Sequence, residues 1–119
     1  MAKPRVDPVE GHAAVIAVQG GSTARTDVAS AVRYLLQLMS DAAPGHTVEL
    51  RVPPFGAIQC VEGPEHTRGT PPNVVEMDSP TWIALATGSL SWADAYDAGK
   101  ISASGVRSDL SSQLPLAQW

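Results

Sequence analysis

The chain has 119 residues, a formal net charge of −4, 44% hydrophobic and 17% charged residues, and one cysteine. That length suits a single domain with one modest core, the apolar fraction excludes a disordered chain, and the lone Cys60 excludes an internal disulfide. The eight basic residues are scattered, which excludes a patch that neutralises several phosphates together and leaves adsorption to anionic lipid without electrostatic help.

In chain order, Asp7-Pro8-Val9-Glu10 has the form of a helix start: a capping carboxylate, proline at the first position, an acid in the first turn. The AAVIAV run after it fits a continued helix and fits a β-branched strand as well; Gly20-Gly21, which ends the run, favours the helix. From about Ala24 to Ala43, the residues Val28, Ala31, Val32, Leu35, Leu38 and Met39 recur at helical spacing. This predicts a long helix that covers one face of a sheet, with Arg25, Arg33 and Gln37 off that face and Pro44-Gly45 as its stop.

Thr47 to Val52 alternates with the period of a strand that has one wet face. Pro53-Pro54 predicts an extended corner. Gly56 to Val61 reads as a second strand and Asn73 to Asp78 as another. Between them, Glu62 to Pro72 is rich in Gly, Pro and polar residues and reads as a loop or an irregular edge.

The segment from Pro80 to Pro115 is the densest in signals. Ser79 is the expected cap of a helix that starts at Pro80, places Trp82, Leu85 and Ala86 on one face and stops at Gly88. Ser91 starts another, with Asp94 completing a capping box and Gly99 ending it. Lys100 to Ser104 alternates as a half-buried strand does, and Gly105 breaks it. Ser108 then caps a closing helix through Leu110 and Leu114, limited by Pro115. With no repeat and no linker, the chain reads as one domain over 1–119, with N-terminal helices at about 8–43 and the sheet and C-terminal helices at about 46–116. The class is α+β, helices layered on one sheet.

Trp82 and Leu85, the Gly88-Ser89-Leu90 joint, Ala95, and then Gly99-Lys100-Ile101, Ala103 and Gly105 stand in an order that resembles the C-terminal half of the sterol carrier protein family. The stretch VELRVPPFGAIQCVEGPEHTRGTPPNVVEMD looks more like a bacterial branch of that family, found chiefly in actinobacteria, than like the animal lipid carriers. Together the two stretches carry the resemblance over roughly Thr47 to Leu116. It implies a twisted, antiparallel-rich sheet of about five strands with helices on one face. It also implies an apolar tunnel between sheet and helices, with the last helix at its mouth.

On that resemblance Trp82, Ile83, Leu85, Leu90, Trp92, Tyr96, Leu110, Leu114 and Leu116 are candidates to line a pocket for a fatty acyl chain or sterol; alternatively they fill the core. Burying methylenes is enough to hold such a ligand, at about 0.8 kcal/mol each. His66 and Arg68 are candidate polar anchors for an amphipathic ligand, since arginine presents a fork of donors to carboxylate or phosphate; alternatively Arg68 pairs with Glu62, Glu65 or Glu76 and pins the loop. Cys60 and His66 together raise the alternative of a thiol-dependent enzyme, but Cys60 shares a strand face with Ile58 and reads as a small buried hydrophobe. His12, His46 and His66 lie far apart and no metal-binding spacing occurs, so no metal and no cofactor is expected.

The reading is therefore a non-catalytic carrier of an apolar or amphipathic small molecule. The alternative is a ligand-free accessory domain that pairs with itself or with a bacterial enzyme through the Glu62-to-Pro72 segment; similar domains occur attached to mycothiol-dependent isomerases of the maleylpyruvate type and to some acetyltransferases. No apolar run in the sequence is long enough to span a bilayer and no secretory leader opens it, so the expected location is cytoplasmic.

Overall fold

The computed structural model describes residues 5–63, 73–117 and 119. Its elements are α1 (Pro8–Gln19), α2 (Arg25–Ala42), β1 (Val48–Val52), β2 (Gly56–Cys60), β3 (Asn73–Glu76), α3 (Ser79–Thr87), α4 (Trp92–Asp97), β4 (Ser102–Ser104) and a 3-10 turn at Ser111–Gln113.

Local chemistry explains most of the boundaries. The Asp7 carboxylate accepts the Glu10 N–H at 3.2 Å and opens α1, so the ambiguous AAVIAV run is helical. This helix is apolar nearly all round and buries only the stripe Gly11, Ala14 and Val15; Val9 and Ile16 stay exposed. In α2 the amphipathic spacing holds, and Ala31, Val32, Tyr34, Leu35, Leu36 and Met39 are buried. Ser91 Oγ accepts the Asp94 N–H at 3.1 Å and starts α4, as expected from its place.

The sheet runs in the order β2-β1-β3-β4. β1 pairs antiparallel with β2 and parallel with β3, and β3 pairs antiparallel with β4. Alternation puts Val48, Leu50 and Val52 on the buried face and Glu49 and Arg51 on the other. The register then lines up Ile58, Leu50, Val75 and Ala103 as one apolar row across all four strands. α2 packs over this face beside β2, and α1 and α3 pack against α2.

The expected α+β class and antiparallel-rich sheet hold, with four strands among the described residues against about five expected and one of the three pairings parallel. Three expectations need correction. Pro53-Pro54 does not make an extended corner: the Phe55 N–H donates to Val52 O at 3.0 Å and Val52 pairs with Gly56, so the chain reverses into a hairpin. The cap of α3 is Asp78, whose Oδ1 accepts the Thr81 N–H at 2.9 Å, and β3 therefore stops at Glu76. The closing helix from Ser108 is absent beyond the one 3-10 turn. Its loss has two causes. Pro115 pushes Leu114 into extended backbone, with φ −122° and ψ 146°. The segment is also drawn flat onto α3, where the Leu116 N–H donates to Ala86 O at 2.9 Å and Leu110 and Leu116 are buried.

Candidate functional site

The sequence-derived apolar set divides by depth. Trp82 is fully buried, and its indole Nε1–H donates to Val32 O at 3.3 Å, which locks α3 to α2. Ile83, Leu85, Leu110 and Leu116 are buried with it in the core. Leu90, Trp92 and Leu114 are half-buried and pack against that core, whereas Tyr96 is exposed.

The shallower members meet around α4. Gly88 takes a left-handed φ of 88° at the end of α3, a conformation that costs glycine little, and it turns the chain sharply into α4. A half-open groove of about 330 Å³ lies under this turn. Leu85 lines it from α3, Leu90 and Trp92 from the joint and α4, and Leu114 and Pro115 from the C-terminal segment. On the other side of α4 is a wider cleft of about 490 Å³, lined by Tyr96 and Asp97, by Ala103 and Gly105, and by Ser108 and Asp109. Trp92 and Ala93 border both spaces, so α4 is the wall between them.

The polar groups around these spaces are largely committed to the fold. Ser108 Oγ–H donates to Gly105 O at 2.8 Å. Asp109 Oδ1 accepts the Ser111 N–H at 2.8 Å, and hydrogen bonds from the Ser111 side chain and backbone hold its carboxyl below the usual range. What the groove offers a ligand is therefore mainly apolar surface with a few hydroxyls at the edge, whereas the wider cleft is as polar as it is apolar. The small residues that open the groove, Gly88, Ser91, Ala93 and Ser111, did not figure among the predicted lining. The Gly88-Ser89-Leu90 joint was their visible signal.

Cys60 is fully buried at the end of β2, and burial alone pushes its thiol up to about 11. A thiol so far above its ordinary range is a poor nucleophile at neutral pH. His66 and Arg68 lie outside the described residues. Among the described residues, no group of three or more His, Cys, Asp or Glu side chains is placed to hold a metal ion, and no helix is long and apolar enough to cross a membrane.

A family model described as "Bacterial SCP ortholog" matches residues 24–116, so the chain belongs to that sterol-carrier-like family. No curated protein matches the sequence.

Proposed function

We propose that this bacterial sterol-carrier-like domain binds the apolar part of a lipid or similar small molecule in the groove beside α4, without catalysis. The observation that carries the reading is the convergence of Leu85, Leu90, Trp92 and Leu114 on one half-open space whose volume falls in the range of small-molecule sites. Trp82 is buried beneath it, and the groove opens at the surface of the helical layer, where the apolar part of the ligand would lie. Membership of the family supports a carrier role, and the burial of Cys60 favours it over thiol-dependent chemistry. The expected cytoplasmic location fits a carrier that meets its ligand in solution.

The test is a titration with cis-parinaric acid and with a fluorescent sterol, read by energy transfer from tryptophan. Saturable binding that is lost in Leu114→Glu supports the groove. Titrations that stay flat with both probes sink the carrier reading and leave the fold untouched.

A second reading has its own observation. Tyr96 is 56% exposed on the wider cleft and Val106 is 99% exposed beside Gly105, which lines the same cleft. Such apolar side chains in solvent suit an accessory domain that pairs with a protein partner or a second copy. Sedimentation of the wild type against a Tyr96→Ser, Val106→Ser double variant separates the two: a dimer that dissociates in the variant favours pairing.

A further inference from the structure

The hairpin between β1 and β2 gathers cations beside α2. Phe55, in its turn, accepts the Arg33 Nε–H through its carbonyl oxygen at 2.9 Å. The Arg25 guanidinium lies over the Phe55 ring, 5.1 Å from its centre, where the negative ring face attracts it. Among the described residues neither arginine forms an ion pair, and no hydrogen bond engages the Nη groups of Arg33. On a chain with a net charge of −4, this is a local surplus of positive charge.

Beside it lies a cleft of about 320 Å³ between α2, β2 and the segment that precedes α1. Val6, Leu36 and Ile58 give it apolar walls, and Arg33 and Arg5 give it cations. Arg5 is already matched: it holds Asp41 through two hydrogen bonds of 2.6 and 3.3 Å, which keep that carboxyl below its ordinary range. The wall at Val6 is tied down as well, since Gln37 accepts from its N–H at 2.9 Å and donates to its carbonyl at 3.3 Å. Arg33 is thus the cation with capacity to spare, held in place by the Phe55 carbonyl before any ligand arrives.

We propose that this cleft binds a small carboxylate-headed amphiphile, with the carboxylate on Arg33 and the apolar body along Val6, Leu36 and Ile58. A planar guanidinium matches a planar carboxylate, and one uncommitted fork suits a single negative charge. Apolar walls with a few placed polar groups are the usual make-up of a small-molecule site. The cleft shares no lining residue with the α4 groove, so the proposal stands apart from the carrier reading.

The test is an amide NMR titration with octanoate, 1-octanol and acetate. Octanoate is expected to shift residues 33–37 and 55–58 saturably, with 1-octanol and acetate each weaker by about tenfold or more. Arg33 is exposed, so Arg33→Gln keeps the fold and weakens octanoate by about tenfold. Leu114→Glu leaves this titration unchanged, which tells failure of the groove from failure of the cleft. The proposal is overturned if octanoate shifts only amides near Leu90 and Leu114, if acetate binds as tightly as octanoate, or if Arg33→Gln stays within about twofold of wild type.

Discussion

Tyr34 of α2 lies flat against Gly11 of α1. A Cβ built on Gly11 would come within 2.8 Å of Tyr34 Cβ and closer still to Cγ and Cδ1 of the ring. The glycine therefore sets how near α1 approaches α2. Gly11→Ala gains about 1 kcal/mol of helix propensity but overpacks the contact, which typically costs about 1–3 kcal/mol. The expected net effect is a loss of about 1 kcal/mol in urea unfolding. The cause is checked by repeating the substitution in a Tyr34→Ala background, where the contacts with Cγ and Cδ1 are gone and only the one with Cβ remains, so Gly11→Ala costs less than in wild type.

That contact was invisible in the sequence. Periodicity reveals which face is buried but not how closely two backbones approach. α2 was legible because Ala31, Val32, Leu35 and Met39 repeat at helical spacing, and the Asp7 and Ser91 caps were legible because capping chemistry is local. The parallel pairing of β1 with β3 was not, since it joins residues far apart in the chain. Asn73 shows the same limit. It read as the first residue of a strand, yet it is buried, donates from Nδ2 to Thr47 O at 2.9 Å and accepts the Arg107 N–H at 2.9 Å, joining three separate segments. The candidate groove was half legible: its large apolar residues were named, while the small ones that make room depend on how the segment after Gly105 lies on α3. The Phe55 cleft depends on a hairpin where an extended corner was expected, so nothing in the local sequence pointed to it.

The two tryptophans of the C-terminal helices have different jobs. Trp82 is fully buried and bonded to α2, so Trp82→Ala is expected to cost about 3–5 kcal/mol, enough to unfold much of a marginally stable domain. Trp92 is half-buried on the wall of the groove, and Trp92→Ala is expected to cost about 1 kcal/mol. Urea unfolding checks both values. If the groove holds ligand, Trp92→Ala also removes the fluorescence response to cis-parinaric acid while Trp82→Phe retains it.

Asp78 caps α3 as an ionised group. Hydrogen bonds from the Thr81 side chain and backbone, aided by the charge of Lys100, hold its carboxyl below the usual carboxylate range. A carboxyl whose folded value lies below its unfolded one contributes stability that is fully present above the unfolded value, near 3.9, and is lost as pH falls through the folded value. Asp78→Ala is expected to cost about 1 kcal/mol at pH 7. Asp78→Asn keeps a capping oxygen that does not titrate, so the advantage of wild type over this variant shrinks in acid. Urea unfolding at a series of pH values between about 6 and 3 measures that difference. A constant gap across the series would show that the cap acts without its charge.

Cys60 behaves in the opposite sense. Burial raises its folded value to about 11, above the value near 8.5 expected in the unfolded chain. As pH rises past about 8.5 the unfolded chain releases a proton that the folded chain keeps, so the unfolded state gains stability. The folded state's advantage declines up to about pH 11, where the buried thiol also ionises. Cys60→Ala removes this slope, at the cost of a small cavity beside Val48, its partner in the sheet register. Comparing the two proteins from pH 7 to 10 isolates the thiol from tyrosine and lysine titration. The same burial predicts that iodoacetamide at pH 8 modifies native Cys60 slower than a free cysteine by ~100-fold or more, because so little thiolate is present. Unfolding in urea should restore the ordinary rate. Rapid modification of the native protein would place the thiol in solvent and reopen thiol-dependent chemistry for this domain.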